Sequence, residues 1–152
     1  MKNFFIGIDV SKLTLDVALY SINGNEKLNH LVIENNPDGF KKMISWIKEK
    51  KIDPKEVFIC MEHTGVYANA IVSFLEKEDI AYCRISALAI KKSLGIIRGK
   101  DDGVDAFRIS QYTYEKREKL KPSKLPPANI IALRNLLVER NGYVKSIAQY
   151  KQ

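Results

Sequence analysis

The sequence predicts an α/β domain on a mixed sheet, with three antiparallel strands followed by alternating helices and strands and a helical extension at the C-terminus. Short apolar or alternating runs crowd the first 33 residues, and from residue 37 helix-period and strand-like segments alternate. A proline-rich stretch then separates this pattern from one last apolar stripe of helical period.

Phe4 to Val10 (FFIGIDV) reads as a buried strand and Leu15 to Tyr20 (LDVALY) as its alternating hairpin partner. Asn23-Gly24-Asn25 is a turn signal, and Leu28 to Ile33 supplies the third strand of a meander. Asn35-Asn36-Pro37-Asp38 opens a helix to about Lys50, which puts Phe40, Met43, Ile44 and Ile47 on one face. Val57 to Met61 is a short buried strand. A helix over Tyr67 to Lys77 and the strand Ala81 to Ile85 complete the alternation. Ala87 to Gly95 reads as a short helix, and Asp102 to Glu118 as a longer one that turns Val104, Phe107, Ile109 and Tyr112 toward the core.

The domain is expected to span residues 1–120. Residues 121–127 (KPSKLPP) hold three prolines in seven and carry a linker signature. In residues 128–152, Ile130, Leu133, Leu137, Val144 and Ile147 form a stripe that needs a partner, the expected start of a truncated coiled-coil arm. The chain is accordingly expected to be one piece of a longer protein.

A length of 152 residues with 45% hydrophobic residues suits one folded domain plus an appendage. Lys and Arg outnumber Asp and Glu by 25 to 18, a formal charge of +7 that favours an anionic partner but equally serves solubility. No apolar run approaches the roughly 20 residues that cross a bilayer, and the N-terminus runs directly into a strand; no membrane and a cytoplasmic location are expected. Cys60 and Cys83 lack CxxC spacing and are expected as buried reduced thiols without a chemical role.

The chemistry begins at Asp9, which strand alternation places on the face of Phe5 and Gly7. An ionised carboxylate buried there needs a cation or several donors. The bland reading is a strand end that caps the following turn. Glu62 repeats the arrangement directly after the strand at 57–61, before His63-Thr64-Gly65, although a carboxylate there also favours a helix N-terminus. In Lys100-Asp101-Asp102-Gly103-Val104-Asp105-Ala106, Asp102 and Asp105 share a helix face, and Asp101 serves nearly as well by spacing. Acids in a first helical turn are common for dipole reasons alone. The set of three segments, each bringing acid to a junction, is what points to hard divalent cations and phosphoryl transfer. Lys12, Lys91, Lys92, Arg98 and Lys100 are candidate contacts to a nucleic-acid backbone, or else solvated surface cations.

Gly7-Ile8-Asp9-Val10-Ser11-Lys12, Glu62-His63-Thr64-Gly65 and residues 100–106, in this order and spacing, resemble the DEDD transposases of bridge-RNA-guided insertion sequences, a family that includes the Piv-type invertases. The resemblance spans nearly the whole chain. It implies an RNase H-like, RuvC-like domain in which Asp9, Glu62, Asp102 and Asp105 are catalytic and metal-binding, with Mg²⁺ as cofactor and Mn²⁺ as substitute. DNA as substrate, a guide (bridge) RNA as partner and homo-oligomerisation through the C-terminal helix are also implied. The family usually has Lys-Thr-Asp where this chain reads Lys100-Asp101-Asp102; the family register selects Asp102. Members continue through a coiled coil into a domain that supplies a nucleophilic serine, so this portion alone is expected to bind metal without completing recombination.

Two other classes compete. An actin-like ATPase fragment also opens with a strand and G-x-D-x-S but leaves Asp102-x-x-Asp105 unexplained. A non-enzymatic basic dimerisation module explains the lysines and treats every acid as a helix cap.

Overall fold

The computed structural model describes residues 2–21, 29–63, 65–94 and 102–150, except for the side chains of 93–94, 102–104 and 150. Strands β1 (Phe4–Val10), β2 (Thr14–Ser21) and β3 (Asn29–Glu34) precede helix α1 (Pro37–Glu49). Strand β4 (Val57–Glu62), helix α2 (Asn69–Lys77), strand β5 (Ala81–Ile85) and helices α3 (Ala87–Leu94), α4 (Asp102–Glu115) and α5 (Ala128–Tyr150) follow. The sheet order is β3-β2-β1-β4-β5, antiparallel among the first three strands and parallel from β1 through β4 to β5. This is the mixed sheet that the sequence predicts. The Asn23-Gly24-Asn25 turn falls outside the described residues.

Alternation in β1 sorts its side chains into two cores. Ile6, Ile8 and Val10 join Phe40, Met43 and Ile47 of α1 and Ile71, Val72 and Leu75 of α2 on one side. Phe5 joins Phe58, Cys60, Cys83, Ile85, Ile90 and Ile109 on the other, under α3 and α4. Both faces of the central strands are covered, which is why FFIGIDV and VFICM read as near-continuous apolar runs rather than half-polar ones.

Helix α1 starts as its sequence dictates. Asn36 caps it by accepting from the Gly39 amide, and Pro37 occupies the first turn, where no amide partner is needed. Helix α2 begins two residues later than its apolar pattern predicts, because Gly65–Ala68 winds as a 3₁₀ turn. Its first residue, Gly65, has φ +61°, a conformation that favours glycine.

Helix α4 differs more. Its buried face is Ala106, Ile109, Ser110 and Thr113, whereas Phe107 and Tyr112 lie half-buried at its flanks. Small residues win the buried face because the helix sits almost on the sheet backbone. The Thr113 hydroxyl donates to the Ile109 carbonyl and the Ser110 hydroxyl to that of Phe107, so neither buried group is left without a partner. Val104 lies outside the described side chains.

The cysteine expectation is corrected as well. Cys60 on β4 and Cys83 on β5 are register partners with Cα atoms 4.9 Å apart, and they form a disulfide. Sequence spacing hides this, because a parallel crossover brings together residues that are 23 apart.

Candidate active site

The site forms where β1 and β4 end. The two strands run parallel with Ile8 opposite Met61, so the next residue on each, Asp9 and Glu62, carries a carboxylate to the same sheet edge. Strand ends that meet helical crossovers are where side chains from distant segments converge.

Asp9 follows Phe5 and Gly7 on the face beneath α4, as alternation requires. Gly7 sets the distance to that helix: a Cβ there would lie 2.0 Å from the Ala106 carbonyl oxygen and 2.4 Å from the Ser110 amide nitrogen. Only a strand without a side chain at this position lets α4 cross so closely. The crossing delivers Asp105, the residue before Ala106, to the neighbourhood of Asp9.

Electrostatics record the convergence. Burial pushes the Asp9 carboxyl above its ordinary range, and repulsion from Asp105, then Glu62, then Asp16 pushes it further, against one opposing backbone hydrogen bond from Val10. Asp16 is the cross-strand partner of Asp9 on β2, and it also holds His30 Nε2 at 2.8 Å. Sequence reasoning missed Asp16, although in LDVALY it is the polar member opposite Leu15 and Val17.

The loops behind the acids are tied together. The Ser11 hydroxyl accepts from the Thr14 amide at 3.1 Å, closing the turn after β1. Asn35 Nδ2 donates to the Ser11 carbonyl and to the Tyr67 carbonyl, both at 3.0 Å. One amide thus joins the turn that follows Asp9 to the segment that follows Glu62. Its sequence offered only a helix-opening Asn-Asn-Pro.

A cleft of about 180 Å³ lies beside the acids, lined by Glu62 and Asp105, by Lys91 and Arg108, and by apolar Ala87, Ile90 and Ile109. Arg108 Nη1 stands 3.6 Å from Asp105, one helical turn away. The i, i+3 spacing from Asp105 was the available signal for Arg108, which sequence reasoning also missed. Of the expected basic residues, Lys91 lines this cleft, while Lys12 and Lys92 are exposed. Arg98 and Lys100 lie outside the described residues. Asp102 opens α4 one turn before Asp105, but its side chain and all of Asp101 lie outside them too.

The donors are all carboxylate oxygens, the chemistry that hard divalent cations take. Among the described residues no three such side chains are gathered into a finished metal cage. Asp9 and Glu62 at the ends of paired strands, and Asp105 on the helix that crosses them, offer oxygens of the type such a cation takes.

Comparison with known proteins agrees with this architecture. The model of the IS110-type DEDD family, described as a transposase, matches residues 6–152. No curated protein matches the sequence. Among solved structures, RuvC from T. thermophilus in complex with a Holliday junction substrate is similar with a TM-score of 0.56 at 9% identity, covering 80% of this chain and 99% of that one. A second Thermus thermophilus RuvC structure gives 0.53 at 13%, covering 79% and 99%. With the sheet, the helical layers and the family match in accord, this chain belongs to the IS110-type DEDD transposases and forms their RuvC-like catalytic domain, an enzyme that acts on DNA.

Proposed function

We propose that Asp9, Glu62, Asp102 and Asp105 are the catalytic acids and that they hold a pair of divalent cations, Mg²⁺ with Mn²⁺ as substitute, for cutting and joining DNA strands. The observation that carries this reading is geometric: the β1–β4 register brings Asp9 and Glu62 to the same end of the sheet, and Glu62 and Asp105 line one cleft there. Held by these acids, divalent cations would supply charge stabilisation for the attacking and leaving oxygens of phosphoryl transfer.

The chain's own residues do the rest. Asp9 and Glu62 present their oxygens from the ends of two paired central strands, and the Asn35 amide ties together the loops beyond them. Lys91 and Arg108 sit where they would meet phosphate oxygens, contacts that are sequence-blind. Lys12, Lys92, Arg98 and Lys100 are the further residues proposed to contact the DNA backbone. The RuvC neighbour solved with a Holliday junction supports a DNA-facing role for the same fold.

The family assignment leaves the ATPase-fragment and non-enzymatic readings without support. A guide RNA and homo-oligomerisation through α5 complete the proposal. Titration with Mn²⁺ tests the acids: the melting temperature rises in the wild type, and Asp9→Asn with Asp102→Asn abolishes the rise. A double variant that responds like the wild type refutes the assignment. Lys91→Ala weakens DNA binding similarly for all sequences and lowers the salt slope by about one.

A further inference from the structure

Residues 121–127 carry the composition of a loose tether, yet in the structure they lie against the domain. Sheet order makes β5 an edge strand. Near its first residues, the Ser123 amide donates to the Tyr82 carbonyl at 2.7 Å. Two residues on, the Leu125 amide donates to Glu76 Oε1 at 2.8 Å. The same oxygen accepts the Tyr82 hydroxyl at 2.8 Å. Leu125 also packs its side chain on the core formed with α1 and α2.

Prolines at 122, 126 and 127 have no amide hydrogen to donate. The amides of Ser123 and Leu125, which can donate, both find acceptors on the domain. Alternate residues of an extended chain point the same way, so 123 and 125 face the domain together. The three prolines limit the freedom that the segment would lose on docking.

We infer that residues 121–127 form a docked strap and that Glu76, which accepts from both Tyr82 and Leu125, is its latch. Glu76 acts as a positioning residue. It fixes the place from which α5 departs. That place is the N-terminal end of β5, at the opposite end of the strands from Asp9 and Glu62, because β1, β4 and β5 all run in the same direction. Helix α5 therefore starts from the end of the sheet away from the carboxylates. The strap also covers part of an edge strand that would otherwise offer its backbone to another chain.

Hydrogen exchange on the whole chain, without metal, tests this. In the wild type the amides of Ser123 and Leu125 exchange slowly, as amides in the sheet do. Glu76→Ala accelerates Leu125 by at least about tenfold, the scale of one lost hydrogen bond to a charged group. It also speeds trypsin cleavage after Lys124, while protection in β1 and α4 persists. Tyr82→Phe removes one donor and leaves the Leu125 bond, so its effect on Leu125 is smaller. Wild-type exchange at Ser123 and Leu125 as fast as in unstructured chain overturns the inference, whether or not any variant folds. Metal response plays no part in the readout, so the strap and the four-acid assignment fail separately.

Discussion

A methyl group on Gly7 would sit 2.0 Å from the carbonyl oxygen of Ala106, which makes the crossing of β1 and α4 a contact between backbones. Asp9 lies two residues beyond Gly7 and Asp105 one before Ala106. The glycine therefore governs the separation of the two acids. Gly7→Ala must push the helix away or distort the strand, since both clashing atoms belong to backbone.

The expected cost of Gly7→Ala is about 3 kcal/mol, the upper range for overpacking a tight core. Gly39→Ala serves as the comparison, because a methyl there meets the Glu34 carbonyl oxygen at 2.0 Å but sits in the first turn of α1, on the face of the sheet opposite α4. Thermal melts should show both variants destabilised. Only Gly7→Ala loses the stabilisation by Mn²⁺, and equal loss in Gly39→Ala would separate α4 placement from metal binding.

Metal-free stability should depend on pH through Asp9. Its folded-state carboxyl is raised above the ordinary 3.8 by burial and by the neighbouring acids. The unfolded chain thus loses this proton first as pH rises. Stability falls from about pH 4 upward until the folded carboxyl has also ionised, and the penalty then stays constant. Asp9→Asn removes the penalty, so without metal it melts higher than the wild type at pH 7, and the gap closes below about pH 4. With Mn²⁺ the order reverses. A variant that melts lower than the wild type at pH 7 without metal would show that Asp9 is satisfied by the protein itself.

The disulfide between Cys60 and Cys83 closes a loop of about 23 residues and should contribute roughly 3 kcal/mol. A reductant is expected to lower the melting temperature by about 8 °C for a domain of this size. The Cys60→Ala and Cys83→Ala double variant should show no response to reductant. A wild-type protein equally indifferent, with two thiols free on unfolding, would mean that the pair is reduced.

Helix α5 exposes its apolar residues, with Leu136 at 62%, Val138 at 72% and Tyr143 at 70% relative exposure. Leu133→Lys with Leu137→Lys should leave the melting of the catalytic domain within about 0.5 kcal/mol, as for surface positions. Sedimentation should show fewer oligomers in this variant. A loss of several kcal/mol would mean that α5 folds onto the domain in solution.

What the sequence determined by itself is the set of elements and the acids' addresses. Period-2 and period-3.6 patterns are local properties, and they located all five strands and the helices, with ends displaced by a few residues where 3₁₀ turns intervene. A carboxylate at the end of an apolar strand is visible in the chain because its burial contradicts the pattern around it, as at Asp9. Only the tertiary structure decided which distant residues meet. Arg108 beside Asp105, Asp16 opposite Asp9, Asn35 between two loops and Cys60 against Cys83 all depend on strand order and register, which no local pattern encodes. The strap makes the same point: its prolines announce a linker, but the acceptors that dock it lie on a helix and a strand some 40 to 50 residues earlier.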